Sequence, residues 1–509
     1  MKIEYIGHAS LLIETNGIKI VTDPWFNGAS YCNQWHLFPK PVNAHKLLTD
    51  IDYVLITHGH EDHLHEASLK ILPKRATVIY PYTWYSDSTV YFKGLGFNES
   101  FEALSWKTYT LKKGICITFI SNNLDTIIVI ESEGKVLVDM NDALTSSTEK
   151  AVEYFTEKIK QRWPIIDYVF SGFGGASYFP NTIHTPSKND LEIAVLREQL
   201  FVNNYFCIVN NLMPAIAVPF ASDFVLLDPE NIWINNTKDS KKEIIEEYYT
   251  RFPDKTNVKM QEMYSGDILE DFELNKKSDF HKYTKQNYEE LIKESYKDII
   301  YEKENPITLN EEEAEKLIHE IYTQVNTRRS ILGFYADKIN EVHFDIKIKD
   351  LKEKSYYYVD MRKNTTCVTR NQNQTLGSIV EIQITSEALK YSFSGEWTGD
   401  VINIGYATNI FVPKEEYIEN GYENVCIKLL TNHPNEDHYI TKPSIRSFKF
   451  ILNNPIHKDW FIKKLTRQKK KNLRENLYED GKIYNRSLWL TKTKCEICKV
   501  CKMPDLESR

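Results

Sequence analysis

Thr57-His58-Gly59-His60-Glu61-Asp62-His63-Leu64-His65 is the stretch that decides the reading of this chain. His58, His60, Asp62 and His63 form the pattern H-x-H-x-D-H. Residues 52–57 (DYVLIT) come directly before it and read as a short buried strand. A loop at the C-terminal end of such a strand can hold side chains in fixed positions. Two imidazoles two residues apart can bind one divalent metal from the same side. The Asp-His pair that follows can serve a second metal. Imidazole and carboxylate suit zinc, iron or manganese.

Outward from this loop the chain alternates strand and helix patterns. Residues 1–22 read as two or three strands joined at Asn16-Gly17, a hairpin signal. Further strands are expected at 76–80, 115–120, 125–131, 135–140 and 167–170, with Glu133-Gly134 as a tight turn. Helices are expected at 66–72, 146–162 and 187–206, with Ser146 and Ser147 as candidate N-caps. Interleaved in this way, the elements point to an α/β fold, a layered αββα sandwich over residues 1–237. Residues 238–340 are charge-rich and read as a helical segment with solvated faces. Residues 341–457 turn strand-rich and read as a smaller C-terminal α+β domain, and 458–509 form a basic tail.

The 509 residues carry a net charge of -8, unevenly spread. The tail holds 15 Lys/Arg against 7 Asp/Glu, so the body is acidic and nucleic acid is not expected as its partner. Contact of the tail with nucleic acid is not expected either. Apolar runs stay short of 18 residues and the N-terminus has no signal-peptide pattern, so neither membrane insertion nor export is expected. Sparse cysteines fit a reducing cytoplasm.

GHASLLIETNGIKIVTDPWF at 7–26, the H-x-H-x-D-H loop and VLVDMND at 136–142 together resemble the metallo-β-lactamase superfamily. Four further segments narrow the resemblance: DPWFNGASYCNQWHL (23–37), LDTIIVIESEGKVLVDMND (124–142), FSGFGGASYFPNTI (170–183) and VPFASDFV (218–225). They are similar to the metallo-β-lactamase-like part of the CMP-N-acetylneuraminate hydroxylase family. A weaker similarity continues through 388–413. The resemblance implies that a strand-end aspartate bridges two metals. Asp142 is the first candidate for it and Asp139 the second. It also implies a third metal-binding His shortly before residue 124. Histidine is absent between His65 and His184. The matching position falls at Ser121, with Asn122, Asn123 and Asp125 nearby. The Cys and His pairs of that family's Rieske domain are not found in this sequence, so under the oxygenase reading electrons are expected from a separate electron-transfer protein or from a cluster on the Cys tail.

The expected metal ligands are therefore His58, His60, Asp62, His63 and Asp142, with His184 as a further candidate. One or two ions, zinc or iron, are expected. Asp62 and His60 are the expected catalytic groups, Asp62 serving as ligand and proton acceptor. His8 and His65 stay open as ligand or loop residue, and Asp23 is expected to orient a His ring. The glycine-rich loop, with Gly172, Gly174, Gly175 and Ser177, could seat a small polar anionic substrate. In the tail, Cys495, Cys498 and Cys501 have C-x2-C-x2-C spacing and could hold a second metal site if a fourth ligand arrives from elsewhere. The leading expectation is a hydrolase of an ester, amide or phosphodiester, such as an amino-sugar or nucleotide-sugar derivative. An iron-dependent hydroxylase is the runner-up, and a degenerate binding protein the third reading.

Overall fold

Alternation along the strands assigns each side chain to one of two cores. In the strand Ser10–Thr15, Leu11 and Ile13 enter one core and Leu12 enters another. In Thr126–Ser132, Ile128 and Ile130 join the first core, while Ile127 and Val129 face a third. This period of two defines a sheet covered on both faces. The computed structural model describes residues 1–466 and 477, except 84–86, 123–124, 176–180, 187–188, 256, 333–337, 352–354, 363–364, 375–376, 396–397 and 433–443.

The first sheet has eight strands. Its order is Glu273–Asn275, Ile268–Glu270, Lys2–Gly7, Ser10–Thr15, Ile18–Thr22, Tyr53–Leu55, Thr77–Pro81, Glu99–Ala103. The second has seven, in the order Lys259–Met260, Ile216–Phe220, Tyr168–Gly172, Lys135–Asn141, Thr126–Ser132, Cys116–Ser121, Thr108–Thr110. Tyr5, Leu11, Ile13, Ile20 and Leu55 of the first sheet meet Phe119, Ile128, Leu137 and Phe170 of the second, and all are buried. Each such side chain contributes roughly 1.5–3 kcal/mol by leaving water. The helices Glu149–Arg162 and Asp190–Leu212 cover the outer face of the second sheet through Val152, Phe155, Ile159, Ile208 and Leu212. Leu69 of Glu66–Ile71 and Phe92 of Ser88–Gly94 cover the first. The αββα sandwich is thus the observed fold.

Both expected tight turns occur. Asn16-Gly17 and Glu133-Gly134 take positive φ at both residues, 52° and 67°, then 53° and 71°. That conformation matches the twist of the strands they join. The cap of the helix Glu149–Arg162 is Thr148, not Ser146 or Ser147.

Residues 238–340 differ from the helical segment expected for them. The helices Lys241–Arg251, Lys285–Glu304 and Glu311–Leu332 are present. Between them, however, the short strands Lys259–Met260, Ile268–Glu270 and Glu273–Asn275 complete the edges of both sandwich sheets. Short edge strands with few apolar residues leave little trace in hydropathy. The remaining sheet of six strands runs Ile183–His184, Asn409–Phe411, Val380–Ile384, His343–Ile348, Tyr356–Asp360, Cys367–Asn371. Its first strand comes from the segment after the glycine-rich loop, pairing Ile183 with Ile410 and His184 with Phe411. Leu317, Ile321 and Val325 of Glu311–Leu332 pack in the same core as this sheet, together with Trp25, Tyr31 and Trp35. The C-terminal unit therefore shares its core with the loop that follows Asp23. Among the described residues, no helix is long and apolar enough to cross a membrane.

Candidate metal centre

The ends of five strands meet at one edge of the sandwich. His8 follows Lys2–Gly7, Asp23 follows Ile18–Thr22, and the His58–His63 loop follows Tyr53–Leu55. Asp125 precedes Thr126–Ser132 and Asp142 follows Lys135–Asn141. Several of these strand ends carry non-glycine residues with positive φ, His8 at 47°, Asp23 at 35° and Asn141 at 37°, and so does Ala221 at 52°, directly after Ile216–Phe220. Such backbone costs free energy, and it concentrates where side chains are re-aimed for a function.

Three ligand groups have their donor atoms within 4.8 Å of one another: His8, Asp62 and His63; His58, His60 and Asp125; His58, His63 and Asp142. Asp142 reaches His63 Nε2 at 3.3 Å, as does Asp62. Asp125 Oδ1 lies 3.8 Å from His58 Nε2. His58 Nε2 faces His60 Nδ1 at 2.8 Å. His63 Nδ1 is held by Asp23 Oδ2 at 2.8 Å, and Asp23 is fixed in turn by the amide (2.8 Å) and hydroxyl (2.6 Å) of Thr57. This leaves His63 Nε2 directed at the cluster. Asp62 Oδ2 meets His8 Nε2 at 2.9 Å, and Asp62 Oδ1 accepts the Tyr31 hydroxyl at 2.5 Å.

Electrostatics agree with a cation site. Burial, then the neighbouring His63 and His60 rings, pushes His58 well below its ordinary range, and burial lowers His60. Both are thus neutral imidazoles, the form that binds metal. Burial and the adjacent Asp142 push Asp125 up to about 7. Crowded carboxylates of this kind want a cation between them. Asp142 Oδ1 and His8 Nδ1 are buried and have no hydrogen-bond partner among the described residues. The orphaned carboxylate oxygen, the convergent donors and the mixed imidazole–carboxylate chemistry all fit a divalent metal.

Several sequence expectations resolve differently. His184 is a correction: it lies in the C-terminal sheet, bonded to Asp190 Oδ2 (2.8 Å) and Asn409 Oδ1 (3.0 Å) and stacked on Phe411. A strand pairing visible only in the fold takes it there. Ser121 is not the stand-in for the missing His. It ends its strand opposite Thr126 and bonds through its amide to Ser105, while Asp125 enters the ligand group. Asp139 is buried inside the sheet, its carboxyl pushed well up by burial and Asp23. His65 caps the helix Glu66–Ile71, accepting from the Ser68 amide. Sequence reasoning left His8 open and passed over Tyr31 and Arg197. The GHAS segment was the one signal for His8.

The cluster opens into a cavity of ≈ 210 Å³. His8, His60, Asp62, Asp125 and Asp142 line one side, and Gly174, Gly175, Arg197, Phe201 and Phe224 line another. Gly172 does not reach the cavity lining. A Cβ there would lie 2.8 Å from Thr145 and 2.9 Å from the Asn141 carbonyl, so close packing of strand and loop demands glycine. The Gly175 amide is also engaged, by the buried carboxylate of Glu198. The expectation that glycine amides seat an anion is therefore corrected for Gly172 and Gly175. Ser177, Cys495, Cys498 and Cys501 lie outside the described residues.

Residues 2–127 match the family model described as a β-lactamase superfamily domain. The αββα sandwich and the strand-end ligand loop agree with this similarity to the β-lactamase superfamily domain. The cytidine monophosphate-N-acetylneuraminic acid hydroxylase of Danio rerio is 28% identical over 258 residues, which are 48% of this chain and 42% of that protein. The chain thus spans less than half the length of that relative. Similar solved structures include CmlA, a diiron beta-hydroxylase from Streptomyces venezuelae, at 18% identity and TM-score 0.37, covering 52% of this chain and 53% of that one. Igni18, a metallo hydrolase from Ignicoccus hospitalis, is 19% identical with TM-score 0.35, covering 54% of this chain and 99% of that one.

Proposed function

We propose that this chain is a metal-dependent enzyme with a two-metal centre, and that its chemistry is iron-dependent hydroxylation of a small polar anionic substrate. One observation carries the choice: Asp125 stands where a third imidazole was expected. Each position then offers two imidazoles and one carboxylate, His58, His60 and Asp125 at one and His8, His63 and Asp62 at the other, with Asp142 between them. That donor mix suits non-haem iron. The 28%-identical relative, a hydroxylase by name, aligns over 48% of the chain and supports the reading.

Bound iron would supply oxygen activation. The chain's own residues supply the rest. Asp23 and Thr57 orient His63, and Tyr31 and His8 orient Asp62. Trp35, Phe201 and Phe224 give the cavity apolar walls that exclude water around the reacting group. Electrons would come from a redox partner, and the acidic charge of the body would favour one with a basic face.

Hydrolysis is the second reading. Carboxylates beside a metal-bound water are also the parts of a metallohydrolase, with Asp62 as proton acceptor. Anaerobic purification followed by metal analysis separates the two. Two irons per chain, with oxygen consumed when a reductant and a chemical mediator are added, support hydroxylation. Two zincs and oxygen-independent ester cleavage would overturn it in favour of hydrolysis.

A further inference from the structure

The metal cavity carries three carboxylates on one wall, Asp62, Asp125 and Asp142. Among the described residues that line it, Arg197 is the one with a permanent positive charge. Arg197 sits one helical turn before Phe201 on the helix Asp190–Leu212, and its guanidinium lies 4.1 Å from the Phe201 ring centroid. The ring thus supports the flat face of the guanidinium and restrains its orientation. Phe201 is in turn fixed by the glycine-rich loop. A Cβ on Gly175 would come within 2.2 Å of the ring, so the backbone passes directly against it. Lys238 lies behind Phe224, with Nζ 3.0 Å from that ring's centroid, and is not part of the lining.

The charges explain why an arginine belongs here. Against three carboxylates, two divalent cations leave a net charge of +1 before Arg197 is counted. A loaded cavity therefore attracts anions. Its volume of ≈ 210 Å³ is below the range of roughly 300–1,000 Å³ common for drug-sized ligands. A whole nucleotide sugar does not fit inside, whereas one small anionic group with the carbons next to it does.

We propose that Arg197 anchors one carboxylate or phosphate of the substrate inside the metal cavity, leaving the rest of the substrate outside. A planar fork with parallel N–H donors matches the oxygen pairs of either anion. This inference deepens the proposed function and rests on it for the place of the reaction, but the anion site itself can be tested without metal.

The test titrates the full chain with inorganic phosphate and, separately, with acetate by calorimetry, in metal-loaded and metal-stripped forms. Wild type is compared with Arg197→Met and with the polar Arg197→Gln, so that one neutral variant remains if the other fails to fold. Thermal melts and metal analysis accompany each sample. The expected result is one-to-one binding of at least one anion by wild type, weakened about tenfold or more in the neutral variants at unchanged metal content. Loss confined to phosphate assigns a phosphoryl substrate, and loss confined to acetate assigns a carboxylate. Arg197 dependence in the stripped chain upholds the anchor even if no metal can be loaded, in which case only the metal reading fails. Wild type that binds neither anion, or folded neutral variants that bind as wild type does, would overturn the proposal.

Discussion

The Tyr31 hydroxyl donates to Asp62 Oδ1 at 2.5 Å, joining the loop after Asp23 to the H-x-H-x-D-H loop. Tyr31 is fully buried, and with Cys32 and Asn33 it forms a run of three non-glycine residues at positive φ, 53°, 52° and 61°. Left-handed backbone at three consecutive such residues is strained and persists only under tertiary constraint. The C-terminal unit supplies it. Gly405 packs so closely that a Cβ there would lie 2.7 Å from Tyr31 Cβ. Tyr31→Phe should keep the fold but leave Asp62 less well fixed, at a cost of about 1–3 kcal/mol for the unpaired carboxylate oxygen. Metal titration should show weaker binding at the His8–Asp62–His63 position. Unchanged affinity there would mean that Tyr31 does not position Asp62.

His60→Ala and Asp62→Ala should each lose metal on dialysis while keeping the circular dichroism of the wild type, because both residues stand in a loop outside the sandwich core. His184→Ala should keep its metal in full, since His184 pairs with Asp190 and Asn409. Metal loss in the His184 variant would restore it as a ligand.

Asp125 should control which metal is preferred. Asp125→His would give the first position three imidazoles, and competition between zinc and ferrous iron should move toward zinc. Asp125→Asn should weaken that position for either metal. Ser121→His, by contrast, should change neither affinity. The stoichiometry of anaerobically loaded variants checks all three.

Stability should depend on pH through a group away from the metal centre. His281 bonds Asp267 at 2.5 Å and lies 3.6 Å from Glu262, which Lys276 and Tyr264 also face. Burial works against it, yet Asp267 and Glu262 hold the His281 ring above its ordinary range. Burial likewise opposes the charge on Glu262, yet His281 and Tyr264 hold it down at about 2. The His281 contribution is full below about pH 6.5 and is lost as pH rises through its raised pKa. The Glu262 contribution is full above about pH 4.5 and is lost as pH falls toward 2. Thermal melts should therefore peak between these limits. His281→Gln should remove the decline on the alkaline side, and a variant that declines as steeply as wild type would place the titrating group elsewhere.

Truncation tests where the folded body ends. Cutting after Pro455 removes Ile456 and Leu477, both buried in the core beneath Glu149–Arg162. Each loss should cost roughly 1.5–3 kcal/mol, visible as a lowered melting temperature. Cutting after Asp480 keeps both residues and should leave the melting temperature near that of the full chain. Equal melting temperatures for the two truncations would mean that this packing contributes nothing.

The sequence by itself determined the sandwich and most of its metal loop. Period-two alternation, two glycine turns and a dense H-x-H-x-D-H segment are local signals, and each acts over fewer than ten residues. Those patterns placed the strands around residues 10–22, 53–55, 126–141 and 168–172 and made His58, His60, Asp62 and His63 candidates, to which the family resemblance added Asp142. Tertiary structure alone decided the membership of His8 and Asp125, because their partners lie 54 and 67 positions away in the chain. It alone withdrew His184, whose strand pairs with residues near 410. The division has a physical reason. Burial periodicity is written residue by residue along a strand, whereas a ligand shell is assembled where the ends of distant strands converge. Which ends converge depends on sheet order, and hydropathy carries no record of sheet order.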